Sequence, residues 1–123
     1  MSTYGARSIR GAITCDANTV EEITNATQEL VRAVISENAV EITDIVNIWF
    51  TVSPDLNASF PATAARAIGL EGVPLMCASE IAVPGSLEKC IRMMLTMNST
   101  KSQNEISHVY LRGAKVLRND LGR

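Results

Sequence analysis

Apolar residues in this chain recur with two different periods. Over 4–14 they alternate, with Arg7, Ile9, Gly11 and Ile13 on one side and Ala6, Ser8, Arg10, Ala12 and Thr14 on the other. That spacing predicts a strand. Over 20–37 the period lengthens to that of a helix, and Val20, Ile23, Ala26, Leu30, Val31 and Val34 form its apolar stripe. Thr19 with Glu22 three residues later is a capping-box signature, and acidic residues crowd the first turn. The helix is expected to end near Asn38.

Residues 45–52, Ile-Val-Asn-Ile-Trp-Phe-Thr-Val, are rich in β-branched and aromatic side chains and predict a second strand, ended by Ser53-Pro54-Asp55. Pro61 suits the first turn of a short helix over 61–68, and Gly69 its stop. Residues 73–78 and 89–97 predict a third and a fourth strand, 98–105 a polar loop, and 108–111 a fifth strand. A short tail helix follows around 114–118. Strands separated by two helices predict an α+β fold with a mixed sheet of about five strands and two main helices on one face. The other face is bare unless another chain covers it, and three-fold closure is one solution.

Composition narrows the possibilities. A chain of 123 residues is one domain, 1–123, large enough for a sizeable core. With 46% apolar and 20% charged residues it reads as globular. A net charge of −2, scattered basic residues and 4% aromatics give no footprint for nucleic acid. No 18-residue apolar run and no leader pattern stand out, so neither a membrane span nor a secretory signal is expected. Cys15, Cys77 and Cys90 are then expected to be free thiols in a reducing cytoplasm. A single histidine, His108, argues against a transition-metal centre.

The chemistry concentrates in Val73-Pro74-Leu75-Met76-Cys77-Ala78-Ser79-Glu80 and in Cys90-Ile91-Arg92-Met93-Met94-Leu95. One carboxylate and one guanidinium sit inside segments that otherwise read as core. An unpaired buried charge is costly, so each needs an opposite partner or a ligand that supplies one. Strand alternation turns Arg92 away from Ile91 and Met93, toward an acid of its own fold or into a pocket. Glu80 and Arg92 suit a structural ion pair as well as a ligand site. Arg10 stands among small residues that leave a groove beside it, or it reaches solvent. Cys77 reads as a buried thiol or a ligand contact, and Phe60 as a helix staple or a pocket wall. Arg66 and Arg118 are by default solvated surface charges, and Tyr110 half-buried packing with a wet hydroxyl. No covalent nucleophile motif, P-loop or dinucleotide fingerprint is present. Several arginines and one carboxylate without a nucleophile describe a pocket that binds an anion and positions it.

In order and spacing, these residues resemble the trimeric, mixed α/β class of chorismate mutase. The resemblance rests on Arg10-Gly11-Ala12-Ile13-Thr14, Pro54-Asp55-Leu56, Phe60-Pro61-Ala62, Val73-Pro74 through Glu80, Cys90-Ile91-Arg92, His108-Val109-Tyr110-Leu111 and Leu117-Arg118 with Asp120-Leu121. It implies a homotrimeric pseudo-α/β-barrel with active sites at subunit clefts, and the rearrangement of chorismate to prephenate without metal or cofactor. It also implies site roles. Arg92 lies beside the breaking ether oxygen, Arg10 clamps the enolpyruvyl carboxylate with help from Tyr110, and Glu80 accepts from the ring hydroxyl with Cys77 nearby. Phe60, Ala62, Leu75 and Leu117 form apolar wall, and Arg66 and Arg118 stand near the mouth. Thr63 departs from the pattern, since some relatives carry a lysine there. A trimeric enamine or imine deaminase, or an inactive anion-binding trimer, is the alternative reading of the same residues.

Overall fold

The computed structural model describes residues 5–121. Tyr4, where the sequence places the start of the first strand, lies outside the described residues, as do both extremities of the predicted 1–123 domain. Five strands form one sheet: β1 (Gly5–Thr14), β2 (Ile45–Val52), β3 (Leu75–Ser79), β4 (Cys90–Ser99) and β5 (Val109–Leu111). Their spatial order is β3-β2-β4-β1-β5. The three central strands are antiparallel, while β3 runs parallel to β2 and β5 parallel to β1. The fold is therefore α+β with a mixed sheet, as the alternation of elements predicts.

Helix α1 (Val20–Glu37) starts where Thr19 Oγ1 accepts a 3.1 Å hydrogen bond from the Glu22 N–H. Ile23, Ala26, Leu30, Val31 and Val34 are buried as expected. Val20 is not: it lies in the first turn, before the stripe meets the sheet, and is exposed. Gly11 allows the helix to lie close, because a Cβ there would meet Leu30 and Val34 at 3.1 Å. The short helix α2 (Pro61–Ala65) carries Pro at its start and runs into a wide turn, Arg66–Leu70, where Gly69 takes φ of 106°. Both helices bury their apolar sides in one core with Ile9, Ile13, Ile48, Phe50, Ile91, Met93 and Leu95. Among the described residues no helix is long and apolar enough to cross a membrane.

Several boundaries differ from the expected ones, including the short helix, which is α-helical only over Pro61–Ala65, and β5, which starts at Val109 rather than at 108. β3 begins after Pro74, which has no N–H for the ladder, although its carbonyl accepts from Ile48. β4 begins at Cys90 because Lys89 sits at φ 49°, and it runs on to Ser99 because Gly5 and Ala6 extend the pairing. The tail, Arg112–Leu121, is a 3-10 helix longer than the helix the sequence suggests around 114–118.

Candidate active site

Strand register builds the site. With Ile91 and Met93 in the core, Arg92 projects from the face opposite α1 and α2. Across that face the pairing places Ala78, Thr51, Arg92, Ala12 and Tyr110 in one row. The adjacent row holds Met76, Trp49, Met94 and Arg10. Ala78 and Ala12 are small, so a trough opens around Arg92. Arg10 stands diagonally across from it on the neighbouring strand. The Arg10 N–H donates to Nδ1 of His108 at 2.9 Å, so that the histidine closes the end of the β1–β5 pairing.

This trough is a cavity of about 260 Å³ whose lining includes Arg10, Thr51, Glu80, Arg92, Tyr110 and Leu117. Glu80 follows β3 directly, and its N–H donates to Val52 O at 2.8 Å, fixing the chain as it leaves the sheet. Its Oε2 accepts a 2.5 Å hydrogen bond from Thr51 Oγ1 and lies 3.7 Å from Arg92 Nε. Arg92 and Glu80 remain 46% and 35% exposed, so neither charge is sealed in a dry core. Two guanidinium groups against one carboxylate leave the lining with positive balance, which suits an anion.

Two supports hold these elements in place. At the start of β4, Ser53 Oγ donates to Asp55 at 2.5 Å and accepts from the Cys90 N–H at 2.9 Å, while Asp55 accepts from the Lys89 N–H. This clasp sets the register two residues before Arg92. At the other end, Arg112 pairs with Glu29 at 2.8 Å and the Gly113 N–H donates to Thr14 Oγ1 at 2.9 Å. The tail then packs Ala114 and Leu117 against Ala12, Cys90 and Tyr110. Burial pushes the Cys90 thiol above its usual value despite the neighbouring Arg92, and it pushes Cys15 to about 11, so both stay protonated at neutral pH.

Of the residues singled out from sequence, Arg10, Glu80, Arg92, Tyr110 and Leu117 meet at this cavity. The others lie elsewhere in the chain. Leu75 and Cys77 turn to the helix side of β3 and pack on the core. Ala62 is buried in α2, Phe60 is exposed at its start, and Arg66 is exposed in the wide turn. Arg118 lines a separate cavity on the far side of Tyr110, with Glu37 and His108. Thr51, Trp49 and Met94 line the site but were not singled out from sequence. Strand alternation puts Trp49 and Thr51 on one face, and only the β2–β4 pairing shows that this is the face of Arg92.

The family model of chorismate mutase type I matches residues 6–121. The chain is 44% identical over 116 residues to chorismate mutase AroH of Bacillus subtilis (strain 168), covering 94% of this chain and 91% of that one. It is 45% identical over 116 residues to chorismate mutase AroH of Thermus thermophilus, covering 94% and 95%. A solved chorismate mutase from Clostridium thermocellum superposes with a TM-score of 0.88 at 52% identity, covering 89% of this chain and 98% of that one.

Proposed function

From the premise that this chain belongs to the chorismate mutase type I family, and is accordingly an isomerase, we propose that it converts chorismate to prephenate in the cleft around Arg92. The reaction is an intramolecular Claisen rearrangement. The ether C–O bond breaks while a C–C bond forms between the enolpyruvyl methylene and the ring, so no group is transferred to the protein. Negative charge grows on the ether oxygen as that bond lengthens. Arg92 supplies a fixed cation there, stronger for the transition state than for the ground state. Arg10 and Tyr110 hold the enolpyruvyl carboxylate, and Glu80 accepts from the ring hydroxyl. Leu117 keeps the side chain folded over the ring.

The observation that carries this reading is the half-exposed Arg92 guanidinium facing an open cavity that it shares with Arg10 and Glu80. The magnitudes agree. An acceleration of about 10⁶-fold needs ~8 kcal/mol. One aimed electrostatic donor supplies ~3–4 kcal/mol, and restricting a flexible substrate to a near-attack shape supplies the remainder.

The working unit is a homotrimer with one cleft at each subunit boundary. Two features favour it. Beyond the tail, the sheet face opposite α1 exposes Met76, Trp49 and Met94 side by side, and a cavity of 260 Å³ falls short of the ~300–1,000 Å³ usual for a small-molecule site. The missing wall comes from a neighbouring copy, through Phe60 backed by Ala62, through Arg66, and through the β3 edge with Leu75 and Cys77. Arg118, which lines the neighbouring cavity in the single chain, is assigned to the mouth on the family resemblance.

Purified protein given chorismate, without added metal or cofactor, is expected to consume it and release prephenate. Turnover no faster than the uncatalysed background overturns the assignment. Calorimetric binding of chorismate without turnover replaces it with a non-catalytic anion-binding trimer.

A further inference from the structure

We propose that Thr51 is a positioning residue for Glu80, keeping the carboxylate and Arg92 from closing on one another. This rests on the functional reading above and deepens it. Thr51 and Arg92 are direct partners across the β2–β4 pairing, and Thr51 and Ala78 across the β2–β3 pairing. The Thr51 hydroxyl therefore rises between the strand that carries Arg92 and the strand that delivers Glu80. It donates to Glu80 Oε2 at 2.5 Å, while Arg92 Nε stands 3.7 Å from the same oxygen.

The second distance is decisive. At 3.7 Å the pair attracts but lies outside hydrogen-bond range. Arginine and carboxylate left to themselves favour a bidentate fork with two N–H···O bonds. Such a fork would occupy both Glu80 oxygens and two nitrogens of Arg92. The guanidinium would then be aimed at Glu80 rather than at a ligand, and its two best-placed donors would already be engaged. The hydrogen bond from Thr51 instead fixes how the Glu80 carboxylate is turned, with Arg92 Nε outside bonding range of Oε2 and donors of Arg92 left for the cavity. A β-branched residue suits this task because its χ1 is restricted. Only the hydroxyl distinguishes it from valine, which has nearly the same shape.

Steady-state kinetics with Thr51→Val, Thr51→Ser and Thr51→Ala test the assignment. Loss of a hydrogen bond to a charged group predicts a fall in kcat of about tenfold or more for Thr51→Val, with a smaller change in KM. Thr51→Ser keeps the hydroxyl and restores most of kcat. On a Glu80→Gln background, Thr51→Val adds little further loss, since the two residues act as one unit. Thr51→Ala serves the same purpose should the valine protein fail to assemble. Wild-type-like kcat in Thr51→Val, equal loss in the valine and serine proteins, or additive loss with Glu80→Gln overturns the role of Thr51 while wild-type turnover leaves the function standing. A wild type inert toward chorismate overturns both.

Discussion

Arg92 and Glu80 form an ion pair that is left half-made: Nε and Oε2 are 3.7 Å apart, and a cavity lies beside both. Sequence offered two readings of these residues, a structural pair or a ligand site. The geometry combines them. Glu80 is close enough to attract the guanidinium, and too far to hydrogen-bond its Nε.

Arg92→Lys tests what that guanidinium contributes. Lysine keeps the charge but presents one compact ammonium in place of a planar fork with a fixed direction. The cation would no longer meet the ether oxygen at the required angle. Removal of one aimed donor predicts a fall in kcat of about 10²–10³-fold with a much smaller change in KM. Stopped-assay or continuous kinetics on chorismate read both parameters, and an unaltered kcat removes Arg92 from its role.

The clasp beneath Arg92 carries a pH dependence. Burial tends to raise the Asp55 carboxyl, but hydrogen bonds from Ser53 and the Lys89 N–H outweigh it and hold the group below its usual 3.8. A carboxyl whose pKa is lowered by folding stabilises the native state above its unfolded pKa, and that contribution disappears as pH falls through the lower, folded value. Asp55→Asn should therefore lower Tm at pH 6–7, with the gap to wild type closing below about pH 4. Thermal melts of both proteins from pH 7 to 3 give the comparison. A gap constant across that range excludes the carboxylate as the source.

Much of this organisation was readable from residue order, and the unreadable part has identifiable causes. Alternation alone placed Arg92 opposite Ile91 and Met93, because a strand has period two and the core side was clear. The Thr19 cap and the stripe from Ile23 to Val34 were equally plain. Thr51 was not, since a threonine in an apolar strand looks like ordinary β-propensity until the strand beside it is known. The start of β4 escaped for a related reason. Lys89 sits at φ 49° with its N–H held by Asp55 and its carbonyl by the Cys15 N–H, both far away in sequence. Likewise Leu75 and Cys77 lie on the core side of β3, away from the cavity of their own chain. Their membership of a site depends on which second chain reaches them, and a single sequence does not state its symmetry operator.

The part of the sheet face that the tail leaves uncovered gives the assembly its own test. Met76, Trp49 and Met94 are 56%, 45% and 42% exposed in the single chain, and they are consecutive neighbours across three strands. A sheet face that meets water normally alternates to polar residues. This one presents a tryptophan between two methionines, the residue types enriched where two proteins meet. Trp49→Glu would place a carboxylate at the centre of that contact, where desolvation costs several kcal/mol per ion. The wild type is expected to sediment at three times the 13.3 kDa chain mass, and Trp49→Glu at or near the mass of one chain. Chorismate turnover should fall as well, both because Trp49 itself lines the cleft and because Phe60, Arg66 and the β3 edge of the neighbouring copy would leave it, so sedimentation is the measurement that isolates the assembly. Folding of the isolated chain need not suffer, since Trp49 is no part of the buried core, and far-UV circular dichroism checks this. A wild type that sediments as one chain while turning over chorismate would show that a single subunit completes its own site, and the neighbouring wall would then have no role.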